Sequence, residues 1–101
     1  AIVAEAGLPA VVSSALDSSI GLAMGAELAA RLPALDVDCG LGTAALLADD
    51  VTAPPLRPVD GAIAAGRVTA DADALRRLAA DPERTAWWRE RLTRCHALLA
   101  E

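Results

Sequence analysis

Two short stretches of this chain have residue types that could bind an anion. One is Ser13-Ser14-Ala15-Leu16-Asp17-Ser18-Ser19, and the other is Gly40-Leu41-Gly42-Thr43. Each follows a run that reads as a strand and opens a run that reads as a helix. At such junctions the unpaired amides and the positive end of the helix dipole point outward, and α/β proteins bind ligands there. In barrels the loops after the last two strands commonly form such an anion site. Small residues such as Ser18, Gly40 and Gly42 let a ligand approach the backbone. Ordinary capping and tight turning explain each stretch equally well, and spacing alone leaves both readings open.

Other chemistry has less support. His96 is the single histidine and falls in the last turn of a helix, where its charge would complement the dipole. No G-x-S-x-G elbow accompanies it, so a Ser-His-Asp triad has no basis. Cys39, Cys95 and His96 lack zinc-ligand spacing. Trp87 and Trp88, flanked by Arg84, Arg89, Arg91 and Arg94, resemble a base-stacking platform, but core packing accounts for them better. Asp49-Asp50 reads as a solvated helix end. All nine basic residues are arginine, so this chain supplies no catalytic lysine. A net charge of -5 argues against nucleic-acid binding, which needs a basic surface to release counterions. Two distant cysteines make no disulfide framework, and a reduced cytoplasmic setting is expected.

The elements that would position these residues follow from pattern. At 101 residues, 54% of them hydrophobic, the chain is one domain at most. It is too short for a complete barrel, which needs roughly 250 residues. It begins without Met or a signal peptide. Residues 1–6 read as a helix entered midway and stopped by Gly7 and Pro9, so a piece of a longer chain is expected. Residues 10–14 read as a buried parallel strand. A helix capped by Asp17, Ser18 and Ser19 then runs to Leu32, with Ile20, Met24, Leu28 and Leu32 on its buried face. Gly21 and Gly25 in that helix fit close packing better than a membrane dimer, since Glu27 and Arg31 interrupt an apolar run too short to span a bilayer.

Residues 35–39 read as a second strand, and Thr43 as the cap of a short helix. Strand, helix, strand and helix make an α/β repeat. Pro54, Pro55 and Pro58 stiffen the connection that follows. Residues 59–62 read as a turn, and 62–68 as weakly strand-like. Residues 72–80 form a short helix, and Asp81-Pro82-Glu83 starts another. Trp88, Leu92, Cys95 and Leu99 would form the buried stripe of that last helix.

The run from Val11 to Gly21, followed some twenty residues later by Cys39-Gly40-Leu41-Gly42-Thr43, resembles the last two barrel strands of the o-succinylbenzoate synthase family. Pro58-Val59-Asp60-Gly61 and then Trp87-Trp88-Arg89 before a Cys-His helix are similar to the C-terminal end of its actinobacterial form. The family belongs to the enolase superfamily, an α+β capping domain on a modified (β/α) barrel. The resemblance implies that residues 1–52 are the C-terminal part of the barrel, carrying strands 7 and 8. It implies that 53–101 are a Pro-rich connection and a helical tail returning toward the capping domain.

The reaction it implies is dehydration of 2-succinyl-6-hydroxy-2,4-cyclohexadiene-1-carboxylate to o-succinylbenzoate in menaquinone biosynthesis. A lysine base removes the proton α to a carboxylate, and a magnesium ion stabilises the enediolate. No lysine or metal ligand of the family maps onto this chain, so both are expected on other parts of the enzyme. What carries over is a substrate-facing rim: Ser13, Ser14, Asp17 and Ser18 after one strand, and Gly40, Leu41 and Gly42 after the next. Hydroxyls and amides there would hold the substrate's carboxylate or succinyl group, with Asp17 orienting the loop. The implied partners are this dicarboxylate and the remainder of the barrel and capping domain, with no nucleic acid and no membrane. An N-succinylamino acid racemase of the same superfamily is one alternative. A non-catalytic acidic helical interaction module is the other.

Overall fold

The computed structural model describes residues 2–35 and 37–99. Among the described residues there are four α-helices: α1 (Ile2–Glu5), α2 (Ser19–Ala30), α3 (Ala72–Arg77) and α4 (Pro82–Leu98). A 3-10 turn spans Thr43–Leu46. Their boundaries follow the punctuation of the sequence. Gly7, at φ 65°, ends α1 in the left-handed region that glycine enters without penalty. Asp71 accepts from the Ala74 amide at 2.7 Å to cap α3, and Asp81 does the same for Arg84 at 2.7 Å to start α4. Pro82 fills the first position of α4, where its missing N–H costs nothing.

The expected strands do not form. Among the described residues no ladder is longer than one pair: Ser13 bridges Gly40 in parallel, and Val59 bridges Ala62 in antiparallel sense. Two amides carry the parallel contact, Ser14 N–H to Gly40 O at 2.9 Å and Gly40 N–H to Val12 O at 3.0 Å. Parallel strands persist in sheets of several strands with both faces covered, and among the described residues each of these segments pairs only with the other. Asp36, inside the second expected strand, lies outside the described residues. The 62–68 segment likewise stays irregular beyond its first residue. The turn at 59–62 is formed as expected, with Asp60 at φ 49° and Gly61 at φ 78°. Two successive positive φ values are what a two-residue hairpin turn requires.

The core is small and built on the opposite face of α2 from the one its large side chains suggest. Leu22, Ala26 and Ala29 are buried with Leu41 and Ala44, and Val12, Cys39, Leu56 and Ile63 pack around them. Met24 is 71% exposed and Leu28 57%. Gly25 explains the inversion: a Cβ there would stand 2.9 Å from Leu41 Cδ2, so the missing side chain lets Leu41 seat directly on the helix. The two helix glycines thus serve close packing, Gly21 doing the same for the Asp17 side chain.

The expected burial of α4 is also overturned. Trp88 is 55% exposed, Leu92 72% and Leu99 87%, and Cys95 is exposed as well. No described residue of α4 is buried, because no other described element packs on its stripe. Its two tryptophans instead meet edge to face at 4.8 Å between ring centroids, and Arg91 lies over both rings. Truncating Trp88 would therefore remove surface contacts, far from the ~3–5 kcal/mol of a buried aromatic. Among the described residues no helix is long and apolar enough to cross a membrane.

Candidate functional site

The parallel pair Ser13–Gly40 brings the two glycine- and serine-bearing segments side by side, running in the same direction. Ser14 welds them. Its Oγ donates to Gly40 O at 3.0 Å and lies 2.8 Å from Thr43 Oγ1. Since Ser14 has one hydroxyl proton, Thr43 supplies the proton of the second bond. The Thr43 hydroxyl therefore braces Ser14 rather than capping the turn that follows, whose N-cap is Gly42.

The remaining rim residues divide by how committed they are. Leu41 is 4% exposed and belongs to the core, so only its backbone can face a ligand. Asp17 accepts from the Ala15 amide at 3.3 Å and folds back over Gly21, an arrangement that shapes the loop. Ser18 stands at the N-cap of α2, yet its hydroxyl makes no capping bond. Ser13 and Gly42 are exposed. Gly42 has φ -105°, which any residue adopts, and a Cβ there would sit 3.6 Å from Pro58 Cγ in ordinary contact. Neither backbone nor packing demands a glycine at 42. Gly40 is different, since a Cβ would come within 3.0 Å of Ser13 Oγ. A hollow of about 450 Å³ adjoins this segment, lined by Asp38, Cys39, Leu41, Gly42, Pro58 and Ile63 among others. A larger hollow of about 550 Å³ lies along the exposed face of α2 and touches none of the rim residues.

The N-terminus of α2 is not open to a ligand, contrary to the picture of two free helix ends facing one anion. Asp50, 8% exposed, places both carboxylate oxygens 3.1 Å from the Ser19 amide. It is no solvated helix end. The Ser19 hydroxyl donates to Asp50 Oδ2 at 2.7 Å and accepts from the Leu56 amide at 2.7 Å. A carboxylate at a helix N-terminus satisfies its amides and its dipole at once. This capping residue lies 31 positions from the helix it serves, so no local motif marks it. The one cue is a carboxylate four residues before a proline pair. Its neighbour Asp49 is half-exposed, and the Arg77 guanidinium bound to it, with the Asp50 amide, holds its carboxyl below the usual range.

The residues present do not fit a metal centre. Among the described residues no group of three or more His, Cys, Asp or Glu side chains stands together to hold one. His96 and Cys95 are on α4, and neither borders the 450 Å³ hollow beside Gly42.

Comparison with known proteins covers almost all of the chain. It is 50% identical over 98 residues to the o-succinylbenzoate synthase of Mycobacterium tuberculosis (strain ATCC 25618 / H37Rv), a match that takes in 97% of this chain. The chain is homologous to o-succinylbenzoate synthase. The synthases of Mycobacterium bovis (strain BCG / Pasteur 1173P2) and Mycobacterium marinum (strain ATCC BAA-535 / M) are 50% and 49% identical over the same length. The chain spans 30% of the length of these synthases. No protein-family model matches it. The synthase relationship covers α4 and the proline-rich connection as well as the rim. It favours neither the racemase nor a free-standing interaction module, even though Trp88 is exposed.

Proposed function

We propose that this chain is the C-terminal part of an o-succinylbenzoate synthase, a lyase of menaquinone biosynthesis, and that it supplies substrate-binding loops. Residues 1–52 would complete the (β/α) barrel, with 10–14 and 35–39 becoming strands 7 and 8 once neighbours pair with their free edges. Residues 53–101 would be the connection and the helical tail. The observation that carries the reading is the parallel Ser13–Gly40 pairing, which sets residues 13–18 and 40–42 at one end of adjacent segments. Support comes from the Ser18 hydroxyl, which makes no capping bond, and from the exposure of Ser13 and Gly42, whereas the Gly40 backbone is spent on Val12 and Ser14. Ser13, Ser18 and Gly42 would bind and orient the carboxylate or succinyl group of the cyclohexadiene dicarboxylate. Ser14 would hold the two loops together, and Asp17 would shape the first. The negative Asp50 at α2 leaves hydroxyls and loop amides, rather than that helix dipole, as the anion's partners.

Proton abstraction and charge neutralisation would come from lysines and a divalent metal, magnesium in this proposal, held by other parts of the enzyme. The setting would be cytoplasmic, and the partners the remaining barrel and capping domain.

The test separates capping from ligand contact. In the protein carrying this chain, Gly42→Val should raise KM for the dicarboxylate at a melting temperature close to wild type. Ser18→Ala, which removes no capping bond, should shift stability by less than about 0.5 kcal/mol while also raising KM. A loss of stability with unchanged KM in both variants would reject the rim as a substrate surface.

A further inference from the structure

The residues 15–18 hang between two fixed points. At one end Ser14 is tied to Gly40 and Thr43. At the other, Ser19 is fully buried, its amide on both oxygens of Asp50 and its hydroxyl between Asp50 and the Leu56 amide. A local cap was available and is not used: the Ser18 hydroxyl sits at the N-cap position with no capping bond. Capping from 31 residues away does what a local cap does not. It fixes the start of α2 to the proline-rich connection, through Ser19 Oγ and the amide of Leu56, and Val51 N–H locks the carboxylate in turn at 2.7 Å.

We infer that Asp50 is a positioning residue for the substrate loop, acting through Ser19 on the adjacent Ser18 hydroxyl. Ser18 is one peptide from the clamp, so its position is set by where Asp50 holds Ser19. Displacing a hydroxyl that binds substrate equally in the ground and transition states raises KM and leaves kcat, and a clamp that prevents the displacement acts without touching substrate. This assignment rests on the synthase reading of the rim.

The experiment compares Asp50→Asn, Ser19→Ala and Thr52→Ala in the protein carrying this chain. Thr52 is the matched control: it is 7% exposed and donates to Pro54 O at 3.1 Å. Asp50→Asn keeps the shape but turns one acceptor into a donor facing the Ser19 groups. Ser19→Ala keeps the amide–carboxylate bond and removes only the bridge, so it remains informative if Asp50→Asn does not fold. Both should raise KM for the dicarboxylate, by about tenfold for Asp50→Asn, with kcat within about twofold. Thr52→Ala should lower the melting temperature alone. Amide exchange across residues 13–19 should quicken in the two clamp variants and not in Thr52→Ala. Unchanged KM and exchange in the clamp variants, or an equal rise in KM for Thr52→Ala, would overturn the assignment. If the wild-type protein turns over no cyclohexadiene substrate, the synthase reading fails, and the exchange comparison still decides whether Asp50 holds the loop.

Discussion

Purified by itself, the 101-residue chain is expected to turn over no 2-succinyl-6-hydroxy-2,4-cyclohexadiene-1-carboxylate, with divalent metal present. A proton α to a carboxylate leaves only if a base of suitable basicity takes it and positive charge meets the dianion that forms. The chain has no lysine. Its one histidine is exposed on α4, and the rim offers hydroxyls, amides and Asp17. General-base catalysis and electrostatic stabilisation each contribute on the order of a hundredfold or more. Without both, the rate should match buffer. Product formation followed by chromatography checks this, and turnover above the buffer rate would mean that these residues contain chemistry not assigned to them.

The second large effect is on stability. Leu22→Ala should cost about 2–5 kcal/mol, toward the upper end, read from urea midpoints at constant slope. Leu22 is fully buried, and three of its core neighbours are Ala26, Ala29 and Ala44, which have no length with which to fill the cavity. With stabilities of single domains near 5–15 kcal/mol, this one truncation would remove a large share. Leu28→Ala, on the exposed face of the same helix, should stay within about 0.5 kcal/mol. Equal losses at the two positions would contradict the observed face of α2.

That pair of leucines also shows what the sequence could and could not reveal. Ile20, Met24 and Leu28 form a stripe at helical spacing, but so do Leu22, Ala26 and Ala29, since α2 is apolar almost all round. Side-chain size favoured the first stripe. Contact distance decided for the second, because Gly25 admits Leu41 and the alanines let the loop lie close. Short-range signals are legible in the sequence: the Asp81 cap, the Gly7 stop and the 59–62 turn depend on residues within four positions of each other. Long-range bonds are not. Asp50 with Ser19, Ser14 with Thr43, and Arg77 with Asp49 join residues 28 to 31 apart, and nothing local in either partner names the other.

The candidate site divides along the same line. The adjacency of 13–18 and 40–42 followed from treating two apolar runs as neighbouring strands, and a parallel bridge, Ser13 to Gly40, joins them. The state of the helix end did not follow. Asp17, Ser18 and Ser19 all have capping oxygens, and a negative charge brought in from Asp50 could not be inferred from their spacing. The α4 stripe was legible as a stripe, while its burial depended on a partner surface that the described residues do not supply.

The most direct measurement is steady-state kinetics of the purified protein carrying this chain, offered the cyclohexadiene dicarboxylate and an N-succinylamino acid in parallel with magnesium. The expected result is dehydration to o-succinylbenzoate with kcat/KM well above that for racemisation. Racemisation alone, or no reaction with either substrate, would contradict it.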